Sequence, residues 1–255
     1  MQDWSGHGAI VTGAASGLGA ATAERLAASG LKVTVFDMND DAGRRQADKI
    51  GGCFAHVDVA DPHSVADGIT KAEAAHGPIR ILVNCAGIGG ASKTVSHGKA
   101  HDPAVFERVI RVNLMGSFNC ASQAAARMVA QDPIDPDGAR GVIINTASVA
   151  AYDGQIGQLA YAASKGGIVG MTLPMARDLA AKGIRVCTIA PGLFLTPLLH
   201  ELPAEVQASL GAQVPFPSRL GDPREYGEMV DHITRNPMLN GEVIRLDGAI
   251  RMAPR

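Results

Sequence analysis

The chain has 255 residues, of which 46% are hydrophobic and 19% charged, and a formal net charge of -2 at pH 7. That length and apolar content support a substantial core, in one large α/β domain or two smaller ones, and exclude a disordered chain. The near-balanced charge, with no long run of one sign, leaves no electrostatic footprint for nucleic acid or an anionic membrane.

Short β-type runs alternate with helical stretches almost from the first residue, the pattern of βαβ units and a parallel sheet. GAIVTG reads as the first strand and GLGAATAERLAASG as a helix ending at Gly30. KVTVFD is the second strand, followed by a helix within DAGRRQADKIGG. CFAHVDV is the third, with a helix over residues 62–76, and IRILVNCAG the fourth. A long helical region covers residues 103–130; GVIINTAS is the fifth strand, IRVCTIAPG the sixth and EVIRLDG the last. Seven strands, six of them reached through helix-bearing connections, make a single-domain, Rossmann-like α/β fold: a doubly wound, parallel, seven-stranded sheet with helices on both faces. Two stretches break the rhythm, the polar loop QDPIDPDGAR at 131–140 and a Leu- and Pro-rich insertion at 193–220, which is expected to be a substrate lid.

Cys53, Cys85, Cys120 and Cys187 are scattered, with no CxxC and no His cluster at zinc spacing, so they read as reduced packing residues and no metal is expected. The N-terminal MQDWSGHGAIVTG has neither a basic segment nor an apolar run long enough for a signal peptide or a span, and it is not Arg-rich. A soluble, cytoplasmic protein is the expectation.

In VTGAASGLG the first strand runs into a turn with Gly13, Gly17 and Gly19, and a helix starts at once. Such a turn lets backbone N–H groups approach a pyrophosphate seated on the positive end of the helix. About twenty residues on, Asp37 ends the second strand, where a carboxylate can accept hydrogen bonds from an adenosine ribose. An acid there favours NAD, because the 2'-phosphate of NADP meets like charge; the alternative is a helix cap. In LAYAASKGGIVGM, Tyr161 and Lys165 lie four positions apart, one turn apart on the same helical face, among small residues.

Together these motifs resemble the short-chain dehydrogenase/reductase family over nearly the whole chain. The family's TGxxxGxG turn is Thr12 to Gly19, which includes Ser16 and Leu18; NCAG, from Asn84 through Ala86 to Gly87, is similar to its NNAG segment with Cys85 in place of the second Asn. Asn113, Ser148, Tyr161 and Lys165 match its catalytic tetrad. PGLFLT, with Pro191, Gly192 and Thr196, matches the segment beside the nicotinamide, and Asp58 and Val59 stand where the family meets the adenine.

A free tyrosine has a pKa of about 10. The Lys165 ammonium and the oxidised nicotinamide are expected to favour the phenolate, so that Tyr161 takes the alcohol proton while Ser148 holds the same oxygen. Lys165 would also hold the nicotinamide ribose. By resemblance, Asn113 binds a water linking Lys165 to solvent, and the subunits form a homotetramer; Gly166 and Gly167 serve either that packing or close intrachain contact.

Narrower stretches, among them QVPFPSRLGDP and NGEVIRLDGAIRM, resemble the subgroup of this family that oxidises the 3-hydroxyl of short or branched 3-hydroxyacyl-CoA esters. The alternatives are a hydroxysteroid dehydrogenase, an acetoacetyl-CoA reductase, or a non-enzymatic scaffold. Leu193 to Leu210 is expected either to wall an acyl chain or to meet another subunit. Gln155 and Gln158 follow Ser148 closely enough to reach a thioester, and Lys93, Lys99 and His101 are candidates for CoA phosphates.

Overall fold

The computed structural model describes residues 1–200 and 203–254, with residues 198 and 200 described by backbone only. In chain order the elements are β1 (Gly8–Thr12), α1 (Gly17–Ala28), β2 (Lys32–Asp37), α2 (Asp40–Ile50), β3 (Cys53–His56), α3 (Pro62–His76) and β4 (Ile79–Asn84). A two-residue hairpin, β5 (Val95–Ser96) and β6 (Lys99–Ala100), precedes α4 (Pro103–Ile110), a π-helical turn (Arg111–Met115) and α5 (Gly116–Val129). Then come β7 (Gly141–Thr146), α6 (Leu159–Ala180), β8 (Ile184–Pro191), α7 (Pro197–His200), α8 (Ala204–Gly211), α9 (Pro223–Arg235) and β9 (Val243–Leu246).

Seven strands form one parallel sheet in the order β3-β2-β1-β4-β7-β8-β9. Alternate side chains feed opposite layers. Ala9, Val11, Val33, Val35, Val83 and Ile144 pack with Leu26 of α1 and Tyr226 and Val230 of α9. Ile10, Phe36, Leu82, Ile143 and Val186 pack with Val65 and Ile69 of α3 and Met128 of α5. Burial on both faces is why the strands read as nearly continuous apolar runs.

Helix starts are written in the sequence as Asp-Pro pairs. Asp61, Asp102 and Asp222 each accept a hydrogen bond from a first-turn N–H, and the proline that follows has no N–H to leave unpaired. Among the described residues no helix is long and apolar enough to cross a membrane.

The structure differs from the expected elements mainly at strand ends. The third strand stops at His56 and the fourth at Asn84, because the neighbouring strands also end there; Val57–Val59 and Cys85–Gly87 turn out of the sheet instead. The 193–220 stretch carries α7 and α8 and is closed at its base, where Gly221 N donates to Leu193 O and Leu195 N to Gly221 O, both at 2.8 Å.

Candidate active site

The chain runs outward from β1 to β3 and returns to β4 on the other side of β1, so the connections leave the sheet in opposite directions between these two strands. A crevice must open there at the carboxyl ends of the strands. It is a cleft of about 770 Å³, and all but two of the residues nominated from the sequence line it.

At one end lies the glycine turn. Gly13 and Gly17 have φ of +63° and +54°, a region that favours glycine. A Cβ on Gly19 would stand 2.2 Å from the Gly13 carbonyl oxygen, so only glycine lets α1 start this close to β1. Ser16 makes no side-chain capping bond, and the first turn of α1 carries no acid. The helix therefore presents its N-terminal dipole to the cleft uncompensated by the protein, as a pyrophosphate-binding turn requires. Leu18 lines the same end. Thr12 joins the two central strands, its hydroxyl accepting from the N–H groups of Cys85 and Ala86 at 3.1 and 3.0 Å.

Asp37 lies half-buried at the tip of β2. Its carboxylate accepts from Ala15 N at 3.0 Å, from the glycine turn, and from Asn39 N at 2.9 Å. The cap of α2 is Asn39, which accepts from Ala42 N at 3.0 Å. Asp37 thus faces the cleft and does not cap a helix. Asp58 is braced by Ala60 N at 2.9 Å and lies beside Val59 in the wall.

Deeper in, Ser148 follows β7 and accepts from Ala150 N at 3.1 Å, while Tyr161 and Lys165 stand in the first two turns of α6. Lys165 is 4% exposed, and its ammonium donates to the Thr146 carbonyl at 2.7 Å. Burial pushes the Tyr161 phenol up, opposed by its hydrogen bond with Ser148, and pushes Lys165 down to about 8. In the protein alone, then, desolvation outweighs the expected lowering of Tyr161 by Lys165; the oxidised nicotinamide charge belongs to the loaded state.

The two nominated residues outside the lining are Asn84 and Asn113. Asn84 does not face the cleft as expected. It is buried beneath it, donating to Ser117 O at 3.2 Å and to Asn145 Oδ1 at 2.9 Å, so it supports the floor. Asn113 accepts from Ile88 N at 2.8 Å and donates to Ile88 O and Ser164 Oγ, each at 3.0 Å, fastening the loop after β4 to the helix of Tyr161 and Lys165. A Cβ on Gly167 would meet Leu114 at 2.7 Å, which gives that glycine an intrachain reason; one on Gly166 would meet nothing within 4 Å.

At the far end Gln155, Gln158 and Leu193 line the cleft with Met252 and Leu199, which the sequence did not single out. Gln158 Oε1 accepts from Gln155 N at 3.0 Å. Pro191, Gly192 and Thr196 complete this wall. Lys93 and Lys99 are exposed and His101 turns its ring edge-on to Phe106; none of the three lines the cleft.

A family model described as short chain dehydrogenase matches residues 7–207. The human protein named 3-hydroxyacyl-CoA dehydrogenase type-2 is 56% identical over 250 residues, spanning 96% of this chain and 95% of its own. The Drosophila melanogaster protein of that name is 52% identical over 249 residues, spanning 96% of this chain and 97% of its own. A crystal structure of 3-hydroxyacyl-CoA dehydrogenase type-2 from Mycobacterium avium superposes over the whole of both chains with a TM-score of 0.95 at 40% identity.

The chain belongs to the short-chain dehydrogenase family.

As a short-chain dehydrogenase it is an oxidoreductase that uses a nicotinamide cofactor. The uncapped start of α1, the open glycine turn and the inward Asp37 fit such a dinucleotide. Cys85 stands where the family's second Asn would be and lines the cleft, with Thr146 Oγ1 3.7 Å from its sulfur; burial pushes its thiol up, which keeps it protonated. Among the described residues no group of three or more His, Cys, Asp or Glu side chains is placed to hold a metal ion.

Proposed function

We propose that this short-chain dehydrogenase oxidises the 3-hydroxyl of short or branched 3-hydroxyacyl-CoA esters to the 3-ketoacyl-CoA, with NAD as its cofactor. The observation that carries the reading is the juxtaposition of Ser148, Tyr161 and Lys165 with a substrate end lined by both amides and apolar side chains, Gln155 and Gln158 beside Leu193 and Met252. The names of its relatives supply the substrate class. Asp37 supports NAD, since a 2'-phosphate would meet its carboxylate.

Gly13, Ser16, Gly17, Leu18 and Gly19 hold the pyrophosphate, Asp37 the adenosine ribose, Asp58 and Val59 the adenine, and Ala86, Gly87, Lys165, Pro191, Gly192 and Thr196 the nicotinamide half. When bound, the nicotinamide accepts the hydride from C3. Tyr161 takes the proton of the 3-hydroxyl, and Ser148 fixes that oxygen by donating to it. Lys165 stabilises the phenolate and relays its proton outward by way of a water held at Asn113. Gln155 and Gln158 donate to the thioester carbonyl, and residues 193–220 close over the acyl chain as a lid. The working unit is a homotetramer in the cytoplasm, and size-exclusion chromatography with light scattering measures the assembly.

The test is a panel of initial rates with NAD: 3-hydroxybutyryl-CoA, 3-hydroxy-2-methylbutyryl-CoA and a 17-hydroxysteroid. Values of kcat/KM larger by orders of magnitude for the CoA esters support the reading. A preference for the steroid, or no reaction with either ester, refutes it and leaves the dehydrogenase chemistry standing.

A further inference from the structure

The substrate end of the cleft is assembled from three segments that are distant in sequence. They are the loop after Ser148, the turn after β8, and the segment after β9 that brings Met252 into the wall. The last segment lies along the first: Ile156 N donates to Pro254 O at 3.0 Å, and Gln155 Nε2 donates to Ala253 O at 3.0 Å.

One side chain reaches all three. Arg245 on β9 donates through Nε to Asp247 at 2.7 Å and through Nη2 to Asp153 at 2.7 Å and to the Ile250 carbonyl at 2.9 Å. Its guanidinium carbon stands 5.2 Å from the centre of the Tyr152 ring. Asp153 belongs to the loop that carries Gln155, and Ile250 to the segment that carries Met252. Asp247 backs the third segment, since a Cβ on Gly192 would lie 2.9 Å from its Cα. Asp247 also accepts from Ala249 N at 3.0 Å and from Arg251 at 3.3 Å. The Arg245, Asp153 and Asp247 side chains are largely sheltered from solvent, so these pairs are screened less than surface pairs. The planar fork of arginine can serve two carboxylates and a carbonyl together, which the single ammonium of lysine does poorly.

We propose that Arg245 is a positioning residue for the substrate. It holds the Asp153 loop, the Pro191–Gly192 turn and the Met252 segment at fixed spacing, and thereby sets the width of the acyl end of the cleft. The residues that take the adenosine half of the cofactor lie on the loops after β1, β2 and β3, in the other half of the sheet. Arg245 therefore governs how the substrate is bound and not how the cofactor is bound. The inference rests on the reading of this end as the substrate end.

The test compares Arg245→Met, Arg245→Lys, Met252→Ala and the double variant Arg245→Met with Met252→Ala, on the alcohol of the panel that the wild type oxidises best. Arg245→Met is expected to raise KM for that alcohol about tenfold while kcat and KM for NAD stay within about threefold, with Arg245→Lys recovering part of the loss. Because Arg245 acts through the segment carrying Met252, its loss costs less when Met252 is already alanine, so the two effects fall short of additive. An equal rise in KM for NAD, a lower melting temperature with unchanged KM, or full additivity overturns the proposal. If Arg245→Met does not fold, Asp153→Asn, which weakens one arm of the clamp, carries the same KM comparison. Failure of the CoA esters in the wild type would sink the substrate assignment alone, since the comparison is then made on the steroid.

Discussion

The ammonium nitrogen of Lys165 stands 5.7 Å from the centre of the Tyr161 ring, held in place by the Thr146 carbonyl rather than by any carboxylate. With no anion to neutralise it, its charge is free to act on the phenol and on what binds beside it. Tyr161→Phe removes the proton-transfer atom and leaves the cleft intact, so kcat should fall by roughly 10²- to 10⁴-fold. NADH fluorescence titration should show cofactor binding nearly unchanged; normal turnover in this variant would remove Tyr161 from the mechanism.

Burial of the same lysine has a consequence for stability. Its folded-state pKa, pushed down to about 8, lies below the usual 10.5. Between these values the unfolded chain keeps a proton that the folded chain has released, so this group makes stability rise with pH across that window and adds nothing further outside it. Relative to Lys165→Met, the unliganded wild type should gain about 1.4 kcal/mol per pH unit there. Cys120, pushed up to about 12 by burial, works in the opposite sense above its usual 9.0, but it does so in both proteins and cancels. Denaturant titrations at several pH values read the difference, and a flat difference would contradict a buried titrating amine.

Asp37 and Asn39 divide two tasks at the end of β2, which makes them separable. Asp37→Ser should relax discrimination between NAD and NADP, read as the ratio of kcat/KM values. Asn39→Ala should cost about 1 kcal/mol of stability through loss of the α2 cap and leave that ratio alone. Unchanged discrimination in Asp37→Ser would show that the ribose assignment is wrong.

Gly19→Ala adds a methyl group where the Gly13 carbonyl oxygen stands. The backbone must shift, at a cost of roughly 1–3 kcal/mol, and the shift displaces the turn that receives the pyrophosphate. KM for the cofactor should rise at least about tenfold with a smaller change in KM for the alcohol, a split that steady-state kinetics reads directly. A rise confined to the alcohol would place the pyrophosphate elsewhere.

Much of this architecture is legible in the chain because two signals are local. Strands buried on both faces must be apolar throughout, so Val33 to Phe36 or Val142 to Ile144 announce themselves. The glycine turn and the Tyr161–Lys165 spacing are likewise complete within a few residues. What escaped is what depends on convergence. Asn84 sits at a nominated position, yet its side chain turns toward Ser117 and Asn145 because Asn145 faces it across the paired strands β4 and β7. Met252 and Arg245 reach the site only through the order of strands, and nothing in RLDGAIRM marks them. The β5–β6 hairpin, two residues a side, is too short to carry an alternation pattern.

The π-helical turn at Arg111–Met115 bears on how this protein tolerates changes in length. A turn closed by bonds to the fifth residue holds one residue more than the 3.6-residue period accommodates, so α4 and α5 are a continuous helical rod out of register by a single position. Removing one residue from this turn would restore an unbroken α-helix and rotate everything after it by about 100° relative to α4. Cys120, Ala121, Ala124 and Met128, which now face the sheet, would swing aside together. A one-residue deletion here is therefore a change of helix face for the second half of the rod, whereas a substitution at the exposed Met115 alters only its surface.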